Sequence, residues 1–221
     1  MKYKGIFFDF DYTLGDATEA IVAGFLYGLH TMGYPAMPTR EDIRHTVGLV
    51  LKDGFTQVTG ETDEDKRTQF AQLYRSVCTP VQIATAKLCD GCQTLLEDLH
   101  SRGVKLAVVS SKPSAILNEI LKARGICDLF DFVIGPDQVP RPKPDPAGIA
   151  RTLEATGLDR EEVLYCGDTT IDAQAGQNAG VDFCAVLNGT TPAQDFDGLP
   201  HVHIAPDLPE LQGWLVKEGL V

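Results

Sequence analysis

Residues 4–16, KGIFFDFDYTLGD, place an apolar run directly before a group of acidic and hydroxyl side chains. Residues 4–10 are rich in Ile and Phe and show no polar alternation, which is typical of a strand buried on both faces of a sheet. Acidic and polar side chains follow at Asp9, Asp11 and Thr13. This stretch therefore predicts a buried strand of a parallel sheet with carboxylates at its carboxyl end.

Apolar runs of the same kind recur along the second half of the chain, each separated from the next by a segment of helical period. They cover residues 104–109, 132–134, 163–166 and 183–187, and residues 202–204 are a candidate sixth strand. Buried strands that alternate with amphipathic helices are typical of βαβ units. The predicted fold class is therefore α/β, a three-layer Rossmann-like core built on a parallel sheet.

The first two strands are separated by a purely helical stretch of roughly 75 residues, which is far longer than an ordinary crossover connection. Ile21, Phe25 and Leu29 recur on one face of its first helix. We interpret residues 15–87 as an inserted α-helical cap, and residues 1–14 together with 88–221 as the catalytic core.

The charge balance narrows the possible partners. The 221 residues include 19 basic and 31 acidic side chains, a formal net charge of −12, and an acidic surface repels nucleic-acid phosphates. No segment reaches the roughly 20 apolar residues of a membrane helix, and the N-terminus lacks the apolar stretch of a signal peptide. We expect a cytoplasmic monomer or homodimer that binds neither nucleic acid nor a membrane.

Six cysteines are spread along the chain, and two of them, Cys89 and Cys92, form a CxxC pair. Without a secretory signal they are expected to be reduced thiols. A zinc site would need a second ligand pair at suitable spacing, so coincidence is favoured for the CxxC, with a redox role as the alternative.

Acidic side chains follow two of the predicted strands. Asp9 and Asp11 follow the first strand and Asp168 follows the fourth, and the carboxyl ends of parallel strands meet at the edge of the sheet where ligands bind. Three carboxylates at one edge repel each other unless a cation is present. Because oxygen ligands favour a hard ion, the cluster predicts a Mg²⁺ site.

Groups of the opposite character lie at the same edge. Ser110 follows the second strand and Lys143 lies in the loop after the third. Together with the start of the helix near Pro113 they suit a phosphate group. A carboxylate, a metal site and a phosphate-binding site in one place predict phosphoryl transfer, in which the carboxylate can act as the nucleophile.

Four motifs in this order resemble those of the haloacid-dehalogenase-like hydrolase superfamily, and the resemblance covers the whole chain. They are DxDxT in residues 9–14 (DFDYTL), Ser110 after an apolar run, Lys143 in residues 141–146 (RPKPDP), and GDxxxD in residues 167–172 (GDTTID). Among subfamilies the pattern is most similar to phosphoglycolate-phosphatase-like enzymes. The resemblance implies a small phosphorylated metabolite as substrate and Mg²⁺ as cofactor.

The resemblance also implies roles for the catalytic residues. Asp9 attacks phosphorus and forms an aspartyl-phosphate, and Asp11 protonates the leaving oxygen and later deprotonates the attacking water. Thr13 positions Asp11 and its turn. Lys143 holds Asp9 and the phosphoryl group and offsets charge in the transition state.

The remaining roles concern binding. The resemblance implies that Ser110, with Ser111 beside it, binds the phosphoryl group together with Lys143. It implies metal ligation by Asp9, Asp11 (through its backbone carbonyl) and Asp168. Asp172 is expected to act indirectly, through water or by supporting a ligand.

Two positions depart from the pattern of the resemblance. Tyr12 stands where many relatives have Gly, and Ser111 stands where phosphoglycolate-type relatives often carry Asn. Neither departure removes an essential group. Phosphoglycolate is the leading substrate. The alternatives are a phosphosugar mutase of the β-phosphoglucomutase type, an inorganic pyrophosphatase and a non-catalytic binding module.

Overall fold

The apolar runs of the sequence form a six-stranded, fully parallel sheet in a computed structural model that describes residues 1–221. The strands are β1 Gly5–Phe8, the two-residue strands β2 Gly15–Asp16 and β3 Lys87–Leu88, β4 Lys105–Val109, β5 Phe132–Ile134, β6 Val163–Gly167, β7 Asp182–Val186 and β8 His203–Ala205. All six predicted strands are present within one or two residues of their predicted ends. The short strands β2 and β3 are too brief to leave a periodic signal in the sequence.

The chain has nine α-helices, of which the last five belong to the same unit as this sheet. In chain order the nine are α1 Thr18–Thr31, α2 Arg40–Arg44, α3 Leu51–Thr59, α4 Glu64–Thr85, α5 Cys92–Ser101, α6 Ser114–Ala123, α7 Ala147–Thr156, α8 Thr170–Ala179 and α9 Leu208–Lys217. Gly157 ends α7 and Gly180 ends α8, both in the left-handed conformation that a glycine adopts without strain. The predicted three-layer α/β fold is confirmed.

The strand order of the sheet is β5-β4-β1-β6-β7-β8. In order along the chain this is the arrangement 3-2-1-4-5-6 of a doubly wound sheet, and such sheets bind ligands where the winding reverses. Here the reversal lies between β1 and β6. Gly5 at the start of β1 is paired with Lys105 of β4 on one side and Val163 of β6 on the other.

The strands at the centre are completely buried. Ile6, Phe7 and Phe8 of β1 have no exposed surface, and neither do Val108 of β4 and Tyr165 of β6. Burial on both faces explains why these strands are continuously apolar in the sequence. The carboxyl ends of three rigid, adjacent strands therefore carry the polar residues that follow them.

The chain divides into two units, one of residues Met1–Asp16 with Leu88–Val221, and one of residues Ala17–Lys87. The second unit contains α1 to α4 and a core of aromatic rings. Phe70 stacks on Phe55 with centroids 4.3 Å apart and lies 5.1 Å from Phe25. Gly28 lets α1 approach this core, since a Cβ there would lie 2.8 Å from the Phe70 ring. None of the helices combines the length and the apolar character needed to cross a membrane.

Candidate active site

The turn after β1 holds the first acidic motif. The amide of Asp9 continues the sheet by donating to Cys166 O at 2.9 Å. The carbonyl of Phe10 then accepts from the amides of Thr13, Leu14 and Gly15 at 2.9–3.2 Å, which closes a tight loop. These bonds fix the Asp9 side chain, 1% exposed, at the edge of the sheet.

Tyr12 has a left-handed backbone, with φ of +58°, and is the only non-glycine residue with positive φ. A side chain in this region usually costs about 1 kcal/mol or more. The resemblance placed a glycine here in many relatives, and the backbone shows why a glycine fits. The buried Tyr12 ring, 4% exposed, provides packing that a glycine lacks.

Lys143 is the electrostatic centre of the site. Its ammonium lies 2.9 Å from Asp9 Oδ1 and 2.5 Å from Asp172 Oδ1, and it donates to Tyr165 Oη at 3.1 Å. Its side chain is only 4% exposed. Burial alone would lower the pKa of Lys143, but the Asp172 and Asp9 carboxylates together raise it above its ordinary value. Lys143 therefore remains a cation beside Asp9.

Asp172 supports Lys143 and also caps the start of helix α8. Its Oδ2 accepts from the hydroxyl of Thr169 at 2.6 Å and from the Thr169 amide at 3.1 Å, completing a capping box. Its Oδ1 accepts from Lys143 and from the hydroxyl of Tyr165, 2.9 Å away. Both oxygens are thus engaged by protein donors, as expected of a residue that orients Lys143.

Asp168 presents a buried oxygen with no protein partner. Its Oδ1 accepts from Thr13 Oγ1 at 3.3 Å, whereas its Oδ2 has no hydrogen-bond donor. Burial, followed by the charges of Asp172 and Asp9, raises the pKa of Asp168 well above its usual range. An unpartnered buried carboxylate oxygen is costly unless a cation or proton compensates it.

The carboxylates of Asp9, Asp168 and Asp172 lie close enough together to hold an ion, with ligand atoms within 4.8 Å of one another. With all four carboxyl groups ionised, Asp11 included, the site carries two more negative charges than the ammonium groups of Lys143 and Lys112 offset, and one more when Asp11 holds the proton of a general acid. A divalent cation would neutralise this excess, and oxygen-only donors suit Mg²⁺. Because the engaged oxygens of Asp172 point to Lys143 and Thr169, Asp9 and Asp168 are the better ligands.

The phosphate-binding residues lie on the loop between β4 and α6. The Oγ of Ser110 accepts from the Lys112 amide at 3.3 Å, so its own hydrogen remains available for a phosphoryl oxygen. Ser111 lies half-buried beside it, and its contact with the phosphoryl group stays a prediction. Metal ligation by the backbone carbonyl of Asp11 also stays a prediction.

The contribution of the helix start near Pro113 to phosphate binding stays a prediction, and the first amide of this helix already has a partner. The amide of Ser114, the first residue of α6, donates to Asp137 Oδ1 at 2.8 Å, and the Ser114 hydroxyl donates to Asp137 Oδ2 at 2.6 Å. A carboxylate from the loop after β5 already caps this helix and offsets its positive end. An additional anion would be repelled there.

Sequence reasoning missed several residues of the site. Tyr165 lies in the apolar run that predicts the fourth strand and was not among the predicted site residues, yet its hydroxyl contacts Lys143 and Asp172. Asn188 and Gly189 follow β7, and the rule that strand ends carry function would have found them. The Asn188 side chain donates to Thr13 O at 3.3 Å.

Gly189 lies against the unpartnered Asp168 oxygen, since a Cβ there would lie 2.0 Å from Asp168 Oδ2. We expect Gly189→Ala to push this carboxylate aside and weaken Mg²⁺ binding about tenfold or more, as measured by calorimetric titration of the purified protein. Gly198→Ala is the matched control, because a Cβ at Gly198 meets nothing within 4 Å. Equal Mg²⁺ affinity in both variants would contradict this assignment.

The chain is similar to known proteins in both sequence and fold. The family model of haloacid dehalogenase-like hydrolases matches residues 6–186. Pyrophosphatase PpaX of Bacillus cereus is 31% identical over 186 residues, 84% of each chain. A solved structure from Bacteroides fragilis, named as a haloacid dehalogenase-like hydrolase, is 35% identical with a TM-score of 0.91 and covers 95% of this chain and 100% of its own.

The fold also matches more distant structures. One from Haemophilus somnus, named a predicted phosphoglycolate phosphatase, has a TM-score of 0.84 at 23% identity and covers 97% of this chain and 98% of its own. At that identity the likeness concerns the fold alone. The family match spans most of the chain, including every strand-end residue described above up to Asp172. The chain belongs to the haloacid dehalogenase-like hydrolase family.

Proposed function

We propose that this protein is a Mg²⁺-dependent phosphatase that hydrolyses a small phosphate ester by way of an aspartyl-phosphate on Asp9. The observation that carries the proposal is the placement of a buried carboxylate, Asp9, between the Lys143 ammonium and the unpartnered oxygen of Asp168. A bound Mg²⁺ would hold Asp9 and Asp168 ionised and offset charge on the phosphoryl oxygens.

In the first half of the reaction, an Asp9 oxygen attacks phosphorus and the bond from phosphorus to the leaving oxygen breaks. Asp11 gives its proton to that oxygen, so an ester releases its alcohol and pyrophosphate releases a protonated phosphate. Lys143, already 2.9 Å from Asp9, offsets negative charge as it spreads over the phosphoryl group. The Ser110 hydroxyl donates to a phosphoryl oxygen and holds the group in line.

In the second half, Asp11 accepts a proton from water as the water oxygen attacks phosphorus, and Asp9 leaves as a carboxylate. The network of Asp172 and Tyr165 holds Lys143 in place in both halves. The mechanism needs no movement of the strand ends, because Asp9 and Asp168 follow two paired strands, β1 and β6.

Phosphoglycolate is the first substrate we propose, in keeping with the motif pattern. Inorganic pyrophosphate is the second, because relatives at 28–31% identity are named pyrophosphatases. Both place a phosphoryl group next to an anionic leaving group. A phosphosugar mutase would use the same aspartyl-phosphate but return the phosphoryl group to a sugar.

The test is phosphate release from a panel of phosphoglycolate, pyrophosphate, sugar phosphates and nucleotides, with Mg²⁺ or with a chelator. We expect release that the chelator abolishes and added Mg²⁺ restores. Isomerised sugar phosphate without free phosphate would favour the mutase. No reaction with any compound under any condition would remove the catalytic proposal and leave a binding module.

Stabilisation by Mg²⁺ is expected to increase with pH. Burial raises the pKa of Asp9 to about 6, against the opposing effect of Lys143, so the folded protein holds a proton that the unfolded chain releases nearer pH 4. The contribution of Asp9 to stability is therefore greatest at low pH and falls as the pH rises through about 4 to 6. Mg²⁺ competes with that proton for the Asp9 carboxylate and restores the stability of the folded protein above about pH 6.

Thermal unfolding measures this competition directly. At saturating Mg²⁺ we expect the Tm to rise by about 5 °C at pH 7.5 and by much less at pH 5. NaCl of equal ionic strength is the control, and Asp168→Asn should remove the effect. A Tm shift of the same size at both pH values would contradict the assignment of Asp9 as a ligand.

A further inference from the structure

Lys112 is a buried cation that the mechanism above does not use. It lies on the loop between β4 and α6, two residues after Ser110. Its side chain is 7% exposed, its ammonium donates to Asp11 Oδ1 at 2.8 Å, and the Phe10 ring centroid lies 5.5 Å away. The site thus has a second ammonium group, on the side of Asp11, in addition to Lys143 on the side of Asp172.

Stability does not explain a lysine at this depth. Removing an ammonium group from water is costly, and a buried ion pair is often no more stabilising than apolar side chains of the same volume. An Asp11 that needed only orientation could be held by neutral donors, as Asp168 is by Thr13. The full positive charge of Lys112 beside Asp11 therefore indicates that the reaction itself uses a positive charge at this position.

The position of Asp11 defines where that charge acts. A residue that protonates the leaving oxygen must come within about 3 Å of it. Because Lys112 Nζ lies 2.8 Å from Asp11 Oδ1, the ammonium is within about 6 Å of the leaving oxygen if Oδ1 contacts it, and within about 8 Å if Oδ2 does, on the far side of the breaking bond from Asp9. An anionic group one or two bonds from that oxygen can reach Lys112.

We propose that Lys112 selects substrates whose leaving group carries a negative charge next to the bridging oxygen. The class comprises phosphate esters of short hydroxy acids, in which a carboxylate follows the ester carbon, and pyrophosphate, in which a second phosphate shares the bridging oxygen. Lys112 does not increase kcat/KM for phosphate esters of neutral alcohols. This inference rests on the proposed phosphatase function, since it assigns Asp11 to the leaving group.

The test compares an anionic with a neutral leaving group in each of two substrate pairs, and each pair is judged by the change from the unaltered protein to the variant. Phosphoglycolate is paired with hydroxyethyl phosphate, its neutral analogue, and pyrophosphate with methyl phosphate. We expect Lys112→Gln to lower kcat/KM about 30-fold or more for the two anionic substrates and about threefold or less for the neutral ones. Lys112→Arg, which keeps the charge, should restore most of the preference.

Two controls separate this inference from the folding of the variant and from the proposed function. Lys122→Gln removes an exposed lysine paired with Glu119 on helix α6 and should change neither substrate class. Unfolding curves show whether Lys112→Gln remains folded. If phosphate release by the unaltered protein is absent for every substrate, the proposed function fails before Lys112 is tested.

The decisive quantity is the ratio of kcat/KM between anionic and neutral partners of each pair. A selective fall in this ratio in Lys112→Gln, with recovery in Lys112→Arg, is the expected result. An equal loss on all four substrates would show that Lys112 only orients Asp11. No loss on any of them would show that the cation is not used, and either result overturns the inference.

Discussion

Replacing Asp9 with Asn abolishes phosphate release, by a factor of about 10⁴ or more, because an amide cannot form the acyl-phosphate bond to phosphorus. The change keeps the shape of a side chain that is 1% exposed. It also removes one negative charge from a cluster in which Asp168 and Asp172 lie within 4.8 Å. We therefore expect the variant to fold at least as stably as the unaltered protein in the absence of Mg²⁺.

Asp195→Asn is the matched control for this experiment, because Asp195 is an exposed residue of the same unit. Its phosphate release should equal that of the unaltered protein. A folded Asp9→Asn protein that retained more than about 1% of the activity would mean that another group attacks phosphorus, since loss of a nucleophile typically costs several orders of magnitude.

Replacing Lys143 with Met is expected to impair both stability and catalysis. The change leaves Asp9 and Asp172 buried without their cation, which typically destabilises a protein by about 3–5 kcal/mol. The phosphoryl group also loses the ammonium that offsets its charge, and we expect a fall in kcat of about 10³-fold. Chemical denaturation and steady-state phosphate release measure the two effects separately.

A second change in the same network distinguishes the two effects. In Lys143→Met with Asp172→Asn, one buried negative charge is removed together with the cation, so part of the lost stability should return while the activity stays low. Lys105→Met is the surface control, since the Lys105 side chain is 51% exposed and its ion pair with Asp131 is worth at most about 1 kcal/mol. A Lys143→Met protein as stable as this control would contradict the central place given to Lys143.

Much of the site follows from the rule that parallel strands bring their carboxyl ends together. Asp9, Asp168 and Lys143 are far apart in the sequence, yet β1 and β6 are paired in the sheet, and Asp9 lies 2.9 Å from Lys143 and within 4.8 Å of Asp168. The apolar runs were sufficient to locate the strands, because central strands buried on both faces cannot carry polar side chains. The order of the strands in the sheet then brings Asp9 and Asp168 to neighbouring strand ends.

Other features depend on contacts that no local pattern reveals. The capping of α6 by Asp137 comes from a loop more than 20 residues away, so the helix start looked open in the sequence. Tyr165 lies within an apolar run, and only its partners show that its hydroxyl is functional. The sequence leaves Lys112 open between a solvated side chain and a site contact, and its burial beside Asp11 appears only in the folded chain.

The most direct test of the account is to trap the phosphorylated protein. The protein is mixed with substrate and Mg²⁺, quenched in acid within one turnover, digested and mapped by mass spectrometry. The account predicts one phosphoryl group on the peptide that contains Asp9, absent from the Asp9→Asn variant and lost after treatment with base, as an acyl-phosphate should be. A phosphoryl group on any other residue, or turnover with no phosphorylated protein at any time, would contradict it.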